Sequence, residues 1–553
     1  MTEQGKDLAR LCELREEIVA SYPQKVGRNR ARHMQVKGCD AQPAIDANSR
    51  TLPGIITTRG CAFAGCKGVV LGPIKDIVNL VHGPVGCSYY SWLTRRNFAR
   101  PGESGKNFLQ YCATTDMQES DIVFGGEKKL MQAIREVKET LNPEAIAVSA
   151  TCPVGLIGDD IASVARDAEA ELGIKVFAAN CEGYKGVSQS VGHHIACNSL
   201  MENVVGTEEL DSPTAYDVNI FGEYNIGGDL WNVQPLLERI GYRIVSTYTG
   251  DASIHDIARA PAAKLTLLMC HRSINYATQM FWDKYRLPWL KVNYVGLAET
   301  ARSLREIAAF FGSDDLAART EAVIEADLER IQPQLEHYRR RLQGKRIMLF
   351  VGGSRAHHFQ HLCEELGMDV IMAGYEFAHR DDYEGRQALD EMKESGLSKV
   401  VKDLKYELED GFAPHLSEAE IAKKQAELKH LMKYEGMSAG MREGALVIDD
   451  LNHHETEILI RRLKPDVFCS GIKDKYVVEK MGVPSRQLHS YDYSGPYTGF
   501  EGAITFARDI DMAVSTPTTR FLAPPWRQEA SDQLLYEATH EPTGETGKEA
   551  AGA

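Results

Sequence analysis

Cysteine, histidine, arginine and lysine side chains directly follow several of the predicted β-strands. The segments at these strand ends are Thr151-Cys152-Pro153, Cys270-His271-Arg272, Gly352-Gly353-Ser354-Arg355, Tyr375-Glu376, Ser470-Gly471-Ile472-Lys473 and His489-Ser490. In open α/β sheets, ligands bind at the carboxyl ends of the strands. Thiolates with an imidazole suit iron, iron–sulfur clusters or zinc, and neighbouring Arg or Lys side chains suit an anionic cluster or a carboxylate ligand. The strand ends therefore predict a metal or cluster site.

Two glycine-rich segments nearer the start of the chain each carry a further candidate ligand. They are RGCAFAGCKGVVLGPIKD, with Cys61, and HGPVGCSYYSWLTRRN, with Cys87. Glycine lets backbone N–H groups approach a bulky inorganic body and hydrogen-bond its sulfur atoms. Cys61, Cys87 and Cys152 are 26 and 65 positions apart, unlike the short spacing of a zinc knuckle or a ferredoxin. Three thiolates are also one fewer than a cubane usually takes, so a cluster here needs another ligand or another chain.

For each remaining cysteine, a purely structural role is the alternative to metal binding, because a buried cysteine often packs as a small hydrophobe. Without an export signal, we expect thiols or metal ligands and no disulfide framework. A structural role is expected for Cys12, Cys39, Cys112, Cys181, Cys197, Cys363 and Cys469. Cys66 stays open, since it forms a C-x4-C pair with Cys61 that would suit one metal. The pairs His193-His194 and His357-His358, taken alone, are typical of a polar surface or a satisfied core.

Short β-branched segments alternate with amphipathic segments from about residue 145 onward, which is typical of βαβ units on parallel sheets. The predicted strands are Ala145 to Ser149, Lys175 to Ala179, Asp217 to Phe221, Arg243 to Ser246, Leu265 to Met269, Arg346 to Val351, Val370 to Met372, Leu446 to Ile448 and Val467 to Cys469. Ser212-Pro213 and Gln343-Gly344 interrupt the alternation. We therefore predict an α/β protein of three doubly wound, Rossmann-like domains with mostly parallel sheets, at 1–212, 213–343 and 344–528.

Two segments do not follow this alternation. Residues 384–440 are rich in Lys and Glu and predict a helical surface insertion, with one helix from about Glu418 to Glu435. Residues 529–553 have the low hydrophobicity of a disordered tail.

Composition excludes several classes of protein. The 553 residues include 63 Lys and Arg against 78 Asp and Glu, a net charge of −15, which disfavours a nucleic-acid binder with a broad basic surface. We find no apolar run of about 18 residues and no signal peptide, so we expect a cytoplasmic protein with no membrane partner. A Walker A loop is also missing from the sequence, so any nucleotide-driven step is expected to belong to a partner.

Nine segments occur along the chain in the order found in one known family. They are RGCAFAGCKGVV, HGPVGCSYYSWLTRRN, TCPVGLIGDD, CEGYKGVSQSVGHHIA, YNIGGD, HRSINY, GYEFAH, SGIK and HSYDYSGPY. Together they resemble the α subunits of the nitrogenase molybdenum-iron protein, from about Gly27 to Trp526. The resemblance implies an oxidoreductase that reduces dinitrogen to ammonia. It also implies a homologous β subunit in an α2β2 heterotetramer, and an ATP-dependent iron protein that docks near Phe124.

The same resemblance implies which residues bind two metal clusters. Cys61, Cys87 and Cys152 would supply this chain's half of a P-cluster (8Fe-7S) shared with the β subunit. Cys270 would bind the terminal iron, and His489 the molybdenum, of an iron–molybdenum cofactor that carries homocitrate. By motif position, the residues expected around that cofactor are Val69 and Arg95 at the substrate-facing iron atoms, Gln189 and Lys473 near homocitrate, His193 as a hydrogen-bond or proton donor, and Ser273, Tyr276, Gly352, Gly353, Arg355 and Glu376 in the rest of the pocket.

Other functions stay open from the sequence. The alternatives are a cofactor-assembly scaffold, the α subunit of a vanadium or iron-only nitrogenase, a protochlorophyllide-reductase-like enzyme, and a plain metabolite-binding α/β protein without metal. Cys270 together with His489 favours the catalytic subunit, since scaffold paralogues generally lack the histidine ligand. The chain departs from the family pattern at Cys66, which replaces a common serine, and at Leu71 and Tyr491, which each replace a common tryptophan.

Overall fold

The computed structural model describes most of the chain. The described residues are 3–39, 45–47, 60–93, 97–102, 104–186, 188–352, 355–376, 378–385, 419, 423, 426, 432–441 and 444–516, without the side chains of 3–7, 472 and 473. Arg95, Gly353 and the predicted tail at 529–553 therefore lie outside the described residues, as do the Lys473 side chain and most of the predicted 384–440 insertion.

Three β-sheets form the framework of the molecule. The strands are β1 (Met34–Val36), β2 (Ile77–His82), β3 (Ala113–Thr114), β4 (Ala145–Ala150), β5 (Lys175–Ala179), β6 (Asp217–Phe221), β7 (Arg243–Tyr248), β8 (Leu265–Leu268), β9 (Trp289–Lys291), β10 (Arg346–Gly352), β11 (Asp369–Glu376), β12 (Leu446–Asp449), β13 (Val467–Ser470) and β14 (Ser485–Gln487). Their orders are β3-β2-β4-β5, β7-β6-β8-β9 and β1-β12-β11-β10-β13-β14. Every pairing is parallel except the antiparallel pairing of β1 with β12. The predicted α/β class with mostly parallel sheets is confirmed.

Helices connect the strands. Those before and around the first sheet are Glu3–Ala20, Gln24–Arg30, Val85–Leu93, Glu119–Phe124, Glu127–Leu141, Cys152–Ile157, Ile161–Leu172 and Ser190–Asn203, with a π-helix at Ala64–Leu71. Those of the rest of the chain are Asp229–Ile240, Ile254–Arg259, His271–Tyr285, Leu297–Phe311, Asp314–Leu342, Arg355–Glu365, Arg380–Glu384, Met437–Gly440, His453–Leu463, Ile472–Glu479 and Gly499–Ser515, and 3-10 turns occur at Ala31–His33, Ala260–Ala262 and Tyr491–Tyr493. No helix in the described part of the chain is long and apolar enough to span a membrane.

All nine predicted strands are present, with ends that differ by up to four residues. Strand β4 is buried along its whole length, as expected for a parallel sheet covered on both faces. Five further strands were not predicted from the sequence: β1, β2, β3, β9 and β14. Four of these are only two or three residues long, and such short segments carry too little periodicity to be recognised.

The middle sheet shares apolar cores with both of its neighbours. Val218 and Ile220 of β6 pack in one cluster with Ile347 and Leu349 of β10. Phe221, the last residue of β6, belongs to a second cluster with residues of the first sheet. The strands of the three sheets come from 77–179, 217–291 and 346–487, with β1 added to the third. The domain boundaries near 212 and 343 stay predictions.

Cys12 and Cys39 differ from the expectation of free thiols. They are joined by a disulfide that connects the helix Glu3–Ala20 to the residues after β1. Their Cα atoms are 6.6 Å apart although 27 positions separate them in the chain. No local pattern predicts this pairing, because it is the packing of the N-terminal segment against the third sheet that brings the two residues together.

Candidate functional site

Cys87 and Cys152 lie at the same edge of the first sheet. Strand β2 ends at His82 and the helix Val85–Leu93 follows, while β4 ends at Ala150 and the helix Cys152–Ile157 follows. Since β2 and β4 are neighbouring parallel strands, both helices begin at one edge. Thr151 joins the two strand ends, because its hydroxyl donates to the His82 carbonyl at 2.8 Å. The parallel pairing therefore explains why two cysteines 65 positions apart lie close together.

Cys61, which precedes the π-helix Ala64–Leu71, lies at the same place, near the segment that follows a third strand. Gly183 follows β5, and a Cβ built on it would lie 3.0 Å from Cys152 Sγ and 3.4 Å from Cys61 Sγ. Burial, together with the neighbouring Cys152 and Cys61 thiols, raises the pKa of Cys87. Cys61 is exposed, whereas Cys87 and Cys152 are half-buried. The three predicted ligands thus converge at a glycine-lined spot that is open to the surface.

Cys66 has a different environment from Cys61. Its side chain is fully buried, and it packs with Cys181 and Cys197 in the apolar core. Burial and a hydrogen bond with the Cys181 thiol raise the pKa of Cys66 well above its usual value. The C-x4-C pair therefore does not form one metal site, and Cys66 takes the structural role.

Large apolar side chains surround the three thiols on the surface. The exposed residues carried by the thiol-bearing helices and by the loop after β5 are Val85, Tyr89, Tyr90, Leu93, Leu156 and Tyr184. Val123 and Phe124, at the end of a nearby helix, are 65% and 87% exposed. A contiguous apolar surface of this kind marks a binding face.

Val69 lies in a π-helix, a geometry frequent at functional sites. This π-helix packs closely on the helix Ser190–Asn203. A Cβ at Gly65 would collide with the Gln189 carbonyl oxygen, and one at Gly192 would collide with the Ala62 carbonyl oxygen. The absence of side chains at these two glycines thus brings the turn with Val69 against the segment that carries Gln189 and His193.

His193 is fully buried in that segment. Burial, reinforced by the charge of Arg272, lowers the pKa of His193 to about 3. The imidazole is therefore neutral at pH 7 and carries one N–H that it can donate. His194 beside it contacts the ring of Tyr276 edge-on, with ring centroids 4.1 Å apart. The histidine pair is thus buried, so of the two expected alternatives the core position holds and the polar surface does not.

The ends of strands from the second and third sheets hold a second group of predicted residues. Cys270 follows β8 and precedes the helix His271–Tyr285, whose first turn includes the buried Ser273. Across from it, the Gly352 N–H at the end of β10 donates to His489 Nε2 at 2.6 Å. The Glu376 carboxylate at the end of β11 lies 3.5 Å from His489 Nδ1. His489 is 30% exposed, so its ring is held but still accessible.

Arg355 links the Cys270 side of this pocket to the His489 side. Its Nη1 lies 3.4 Å from Asp229 Oδ2, and its guanidinium lies 5.5 Å from the centre of the Tyr491 ring. Burial alone would lower the pKa of Arg355, but Tyr491, Asp229, Glu223 and Cys270 together raise it. A largely buried cation with several N–H donors near the Cys270 thiol suits a ligand with negative charge.

Three ionisable residues in this region were not singled out from the sequence. Asp229 accepts hydrogen bonds from Tyr491 at 2.6 Å and from the Tyr497 backbone at 2.8 Å. Burial and the neighbouring Asp229 raise the pKa of Glu223 to about 8. Burial lowers the pKa of Lys291 to about 7, and its ammonium donates to the carbonyl of Met269 at 2.7 Å. Asp229 is the last residue of the YNIGGD segment, so this motif could have identified it as a site residue. Lys291 lies on β9, a short strand that was not predicted.

Glycines lie directly beside the candidate ligands of both sites. In the part of the chain that the structure describes, no group of three or more His, Cys, Asp or Glu side chains is arranged to hold one metal ion. Cys61 and Cys152 instead flank a space that a single Cβ at Gly183 would enter. Likewise, a Cβ at Gly471 would lie 3.1 Å from His489 Nδ1 and 3.3 Å from Glu376 Oε2.

Comparisons with known proteins identify a family and relatives that cover most of the chain. The family model described as nitrogenase component 1 type oxidoreductase matches residues 61–515. The nitrogenase molybdenum-iron protein alpha chain of Methanosarcina barkeri is 57% identical over 93% of this chain and 96% of its own length. That of Clostridium pasteurianum is 46% identical over 94% of this chain and 98% of its own length. The solved structure of nitrogenase Cp1 at pH 6.5 is 47% identical, covers 93% of this chain and 100% of its own, and superposes with a TM-score of 0.86.

Both the family model and the full-length relatives match across the two groups of converging side chains. This chain therefore belongs to the nitrogenase component 1 family of oxidoreductases, among the molybdenum-iron protein alpha chains.

Proposed function

We propose that this chain reduces dinitrogen as the catalytic α subunit of a molybdenum nitrogenase, with a share of a P-cluster at Cys61, Cys87 and Cys152. An iron–molybdenum cofactor with homocitrate would be bound by Cys270 and His489. The observation that carries the proposal is the convergence of three thiols, two from strand ends and one from the segment before the π-helix, on an exposed apolar face. The site has three thiolates, one fewer than a cubane usually takes, and it is open to the surface. This favours a cluster that another chain completes. The homologous β subunit of an α2β2 heterotetramer is that chain.

The second pocket suits an anionic cluster held at two ends. Cys270 offers a thiolate and His489 an imidazole, while the largely buried Arg355 supplies a positive charge that interacts with Cys270. When bound, the cofactor supplies the multi-electron chemistry that reduces dinitrogen to ammonia and protons to hydrogen. Ser273, Tyr276, Gly352 and Glu376 line the protein side of this pocket. Arg95, Gly353 and Lys473 are assigned to it from their motif positions alone.

The chain's own residues contribute positioning and a hydrogen-bond donor or proton relay. The neutral His193 imidazole can donate its N–H, and its lowered pKa means that it does not hold a permanent charge at pH 7. Val69, on the π-helix beside it, provides an apolar wall, and Gln189 lies at the start of the same helical segment. An ATP-dependent iron protein would deliver electrons by docking at the surface around Phe124, which is 87% exposed.

Metal analysis of the anaerobically purified assembly tests the proposal. We expect iron and molybdenum together, with ammonia formed in the presence of iron protein and ATP. Iron with vanadium, or iron without a heterometal, would favour a vanadium or iron-only nitrogenase or a protochlorophyllide-reductase-like enzyme. A metal-loaded protein without ammonia formation would favour an assembly scaffold, and a metal-free protein would favour a plain metabolite-binding function.

Two variants separate the clusters. Cys270→Ala should lose molybdenum and keep the iron of the P-cluster, whereas Cys87→Ala should lose P-cluster iron. Cys363→Ala is the matched control, because Cys363 is fully buried in the apolar core away from both groups. Loss of molybdenum in the Cys363 variant would contradict the assignment of Cys270.

A further inference from the structure

A fully buried charged cluster lies against the helix that follows Cys270. Arg272 Nη1 donates to Asp382 Oδ2 at 3.0 Å and lies 3.4 Å from Asp381 Oδ1. The amide of Asn275 donates to Asp381 Oδ2 at 3.1 Å. His271 Nε2 lies 3.0 Å from Asp382 Oδ1. These contacts fix the first two turns of the helix His271–Tyr285 to the short helix Arg380–Glu384.

One member of the cluster comes from the C-terminal end of the 384–440 segment that the sequence singled out. Tyr434 donates its hydroxyl to Asp381 Oδ2 at 2.6 Å. Its ring stacks on the His271 imidazole with centroids 4.2 Å apart and planes inclined by 15°. Only 7% of the Tyr434 side chain is exposed. A single side chain thus contacts both the residue after Cys270 and the carboxylate that binds Asn275.

The two ends of that segment meet next to Tyr434. A Cβ at Gly436 would collide with the Tyr383 carbonyl oxygen, and one at Gly385 would lie 2.8 Å from the Tyr434 carbonyl oxygen. Residues 383–385 and 434–436 therefore form a closed base for the intervening chain. Two tyrosines fix this base to the rest of the molecule. Tyr434 donates to Asp381 on one side, and the Tyr383 hydroxyl donates to Asp449 at 2.8 Å on the other.

We propose that Tyr434 is a positioning residue for Cys270, so that the base of the 384–440 segment sets the orientation of the cofactor thiolate. The proposal rests on the proposed function for the role of Cys270 as a ligand. Cys270 is the N-cap residue of the helix His271–Tyr285, so its side-chain direction follows from where that helix begins. Without the Tyr434 hydroxyl, Asp381 keeps its charge repulsion with Asp382 but loses a donor, in a place that water does not reach. The helix start then loses part of its anchorage.

The test compares Tyr434→Phe with Tyr383→Phe in the anaerobically purified metal-loaded assembly. Each change removes one buried tyrosine-to-aspartate hydrogen bond at the same base, but only Tyr434 reaches the Cys270 helix. Phenylalanine keeps the stacking on His271, so Tyr434→Phe is expected to fold and retain molybdenum. Amide hydrogen exchange over residues 271–276 should be roughly five- to tenfold faster in Tyr434→Phe, the factor expected for one buried hydrogen bond. The low-temperature spin-resonance lines of the cofactor should shift in that variant alone.

Exchange and spectrum unchanged from the wild type in Tyr434→Phe would overturn the proposal. Equal changes in Tyr383→Phe would overturn it as well, because they would reflect a general loosening of the base. A different outcome marks failure of the proposed function: the wild type itself would then lack molybdenum and the cofactor signal. In that case the hydrogen-exchange comparison still decides whether Tyr434 positions the helix after Cys270.

Discussion

Gly183 lies so close to Cys152 that a Cβ at the glycine would come within 3.0 Å of the cysteine sulfur. The same Cβ would lie 3.4 Å from Cys61 Sγ, so the glycine keeps free the space between two proposed cluster ligands. This position therefore requires glycine for space, since its backbone does not adopt a positive φ.

Gly183→Ala should lower the iron content of the first site while molybdenum is retained. The added methyl group would push both sulfur atoms away from the shared space. Iron and molybdenum analysis of the purified assembly measures the effect. Gly173→Ala is the control for general destabilisation. Gly173 ends a helix with a left-handed backbone conformation, so an alanine there costs about 1 kcal/mol of stability without touching a thiol. Equal iron loss in both variants would attribute the effect to general destabilisation.

Cys66→Ala should keep the full iron content, whereas Cys61→Ala should lose iron from the first site. Cys66 is buried with Cys181 and Cys197, so its removal leaves a small cavity that costs about 1 kcal/mol of unfolding free energy. Metal analysis and urea unfolding of the two variants measure these effects separately. If Cys66→Ala also loses iron, the structural role given to Cys66 is wrong.

Tyr491→Phe should reduce the amount of molybdenum bound, without abolishing it. The Tyr491 hydroxyl donates to Asp229, which in turn pairs with Arg355, so its removal loosens the cation that faces the proposed cofactor. Tyr497→Phe is a matched control, since its hydroxyl donates to Asp509 at 2.7 Å and not to Asp229. Molybdenum per tetramer is the quantity to compare, and equal loss in the two variants would argue against a role of Tyr491 through Arg355.

His193→Gln should keep the cofactor but impair dinitrogen reduction more than proton reduction. Glutamine preserves a side-chain N–H donor of similar reach, yet it does not exchange a proton as an imidazole does. Ammonia and hydrogen formed at the same electron flux give the comparison. Unchanged ammonia formation would remove the proton-donor role from His193.

Asp76→Asn should stabilise the protein at neutral pH. Burial raises the pKa of Asp76 from 3.8 to about 6, although the carboxylate accepts a hydrogen bond from the Ile254 N–H at 2.9 Å. The folded protein therefore binds the proton of the Asp76 carboxyl group more tightly than the unfolded chain does. The stability that the proton contributes is complete below about pH 4 and is lost as the pH rises through about 6.

The asparagine variant does not titrate, so its advantage over the wild type should grow across that interval, to at most ~3 kcal/mol at neutral pH. Urea unfolding of both proteins at about pH 4.5 and pH 7.5 measures the difference. A difference that stays the same at both pH values would show that Asp76 does not titrate as its burial predicts.

Local chemistry made much of this molecule predictable. Buried β-branched runs such as β4 and β6 have a period and a length that identify strands, and a residue after a strand of a parallel sheet lies at the ligand-binding edge. Cys152 and Cys270 could be found for this reason. The motifs and their order predicted the family, which the comparisons confirmed. The ligand roles of Cys61, Cys87 and His489 stay predictions that the metal analyses test.

Interactions between distant segments could not be predicted, because no local pattern specifies them. Cys61 and Cys66 are five positions apart, yet one is exposed and the other is buried with two further thiols. Tyr434 binds Asp381 from 53 positions away and stacks on His271 from the other side of the cluster.

The sequence by itself determined nine of the fourteen strands in the described part of the chain, the strand-end chemistry and the family. Only the tertiary structure decided which thiols share one space, which aspartates hold Arg272 and Arg355, and which tyrosine anchors the helix after Cys270. The physical reason is that hydrophobic periodicity and residue type report only on local structure, over one or two helical turns or a single strand. Burial and charge pairing, in contrast, depend on which sheets and helices pack together.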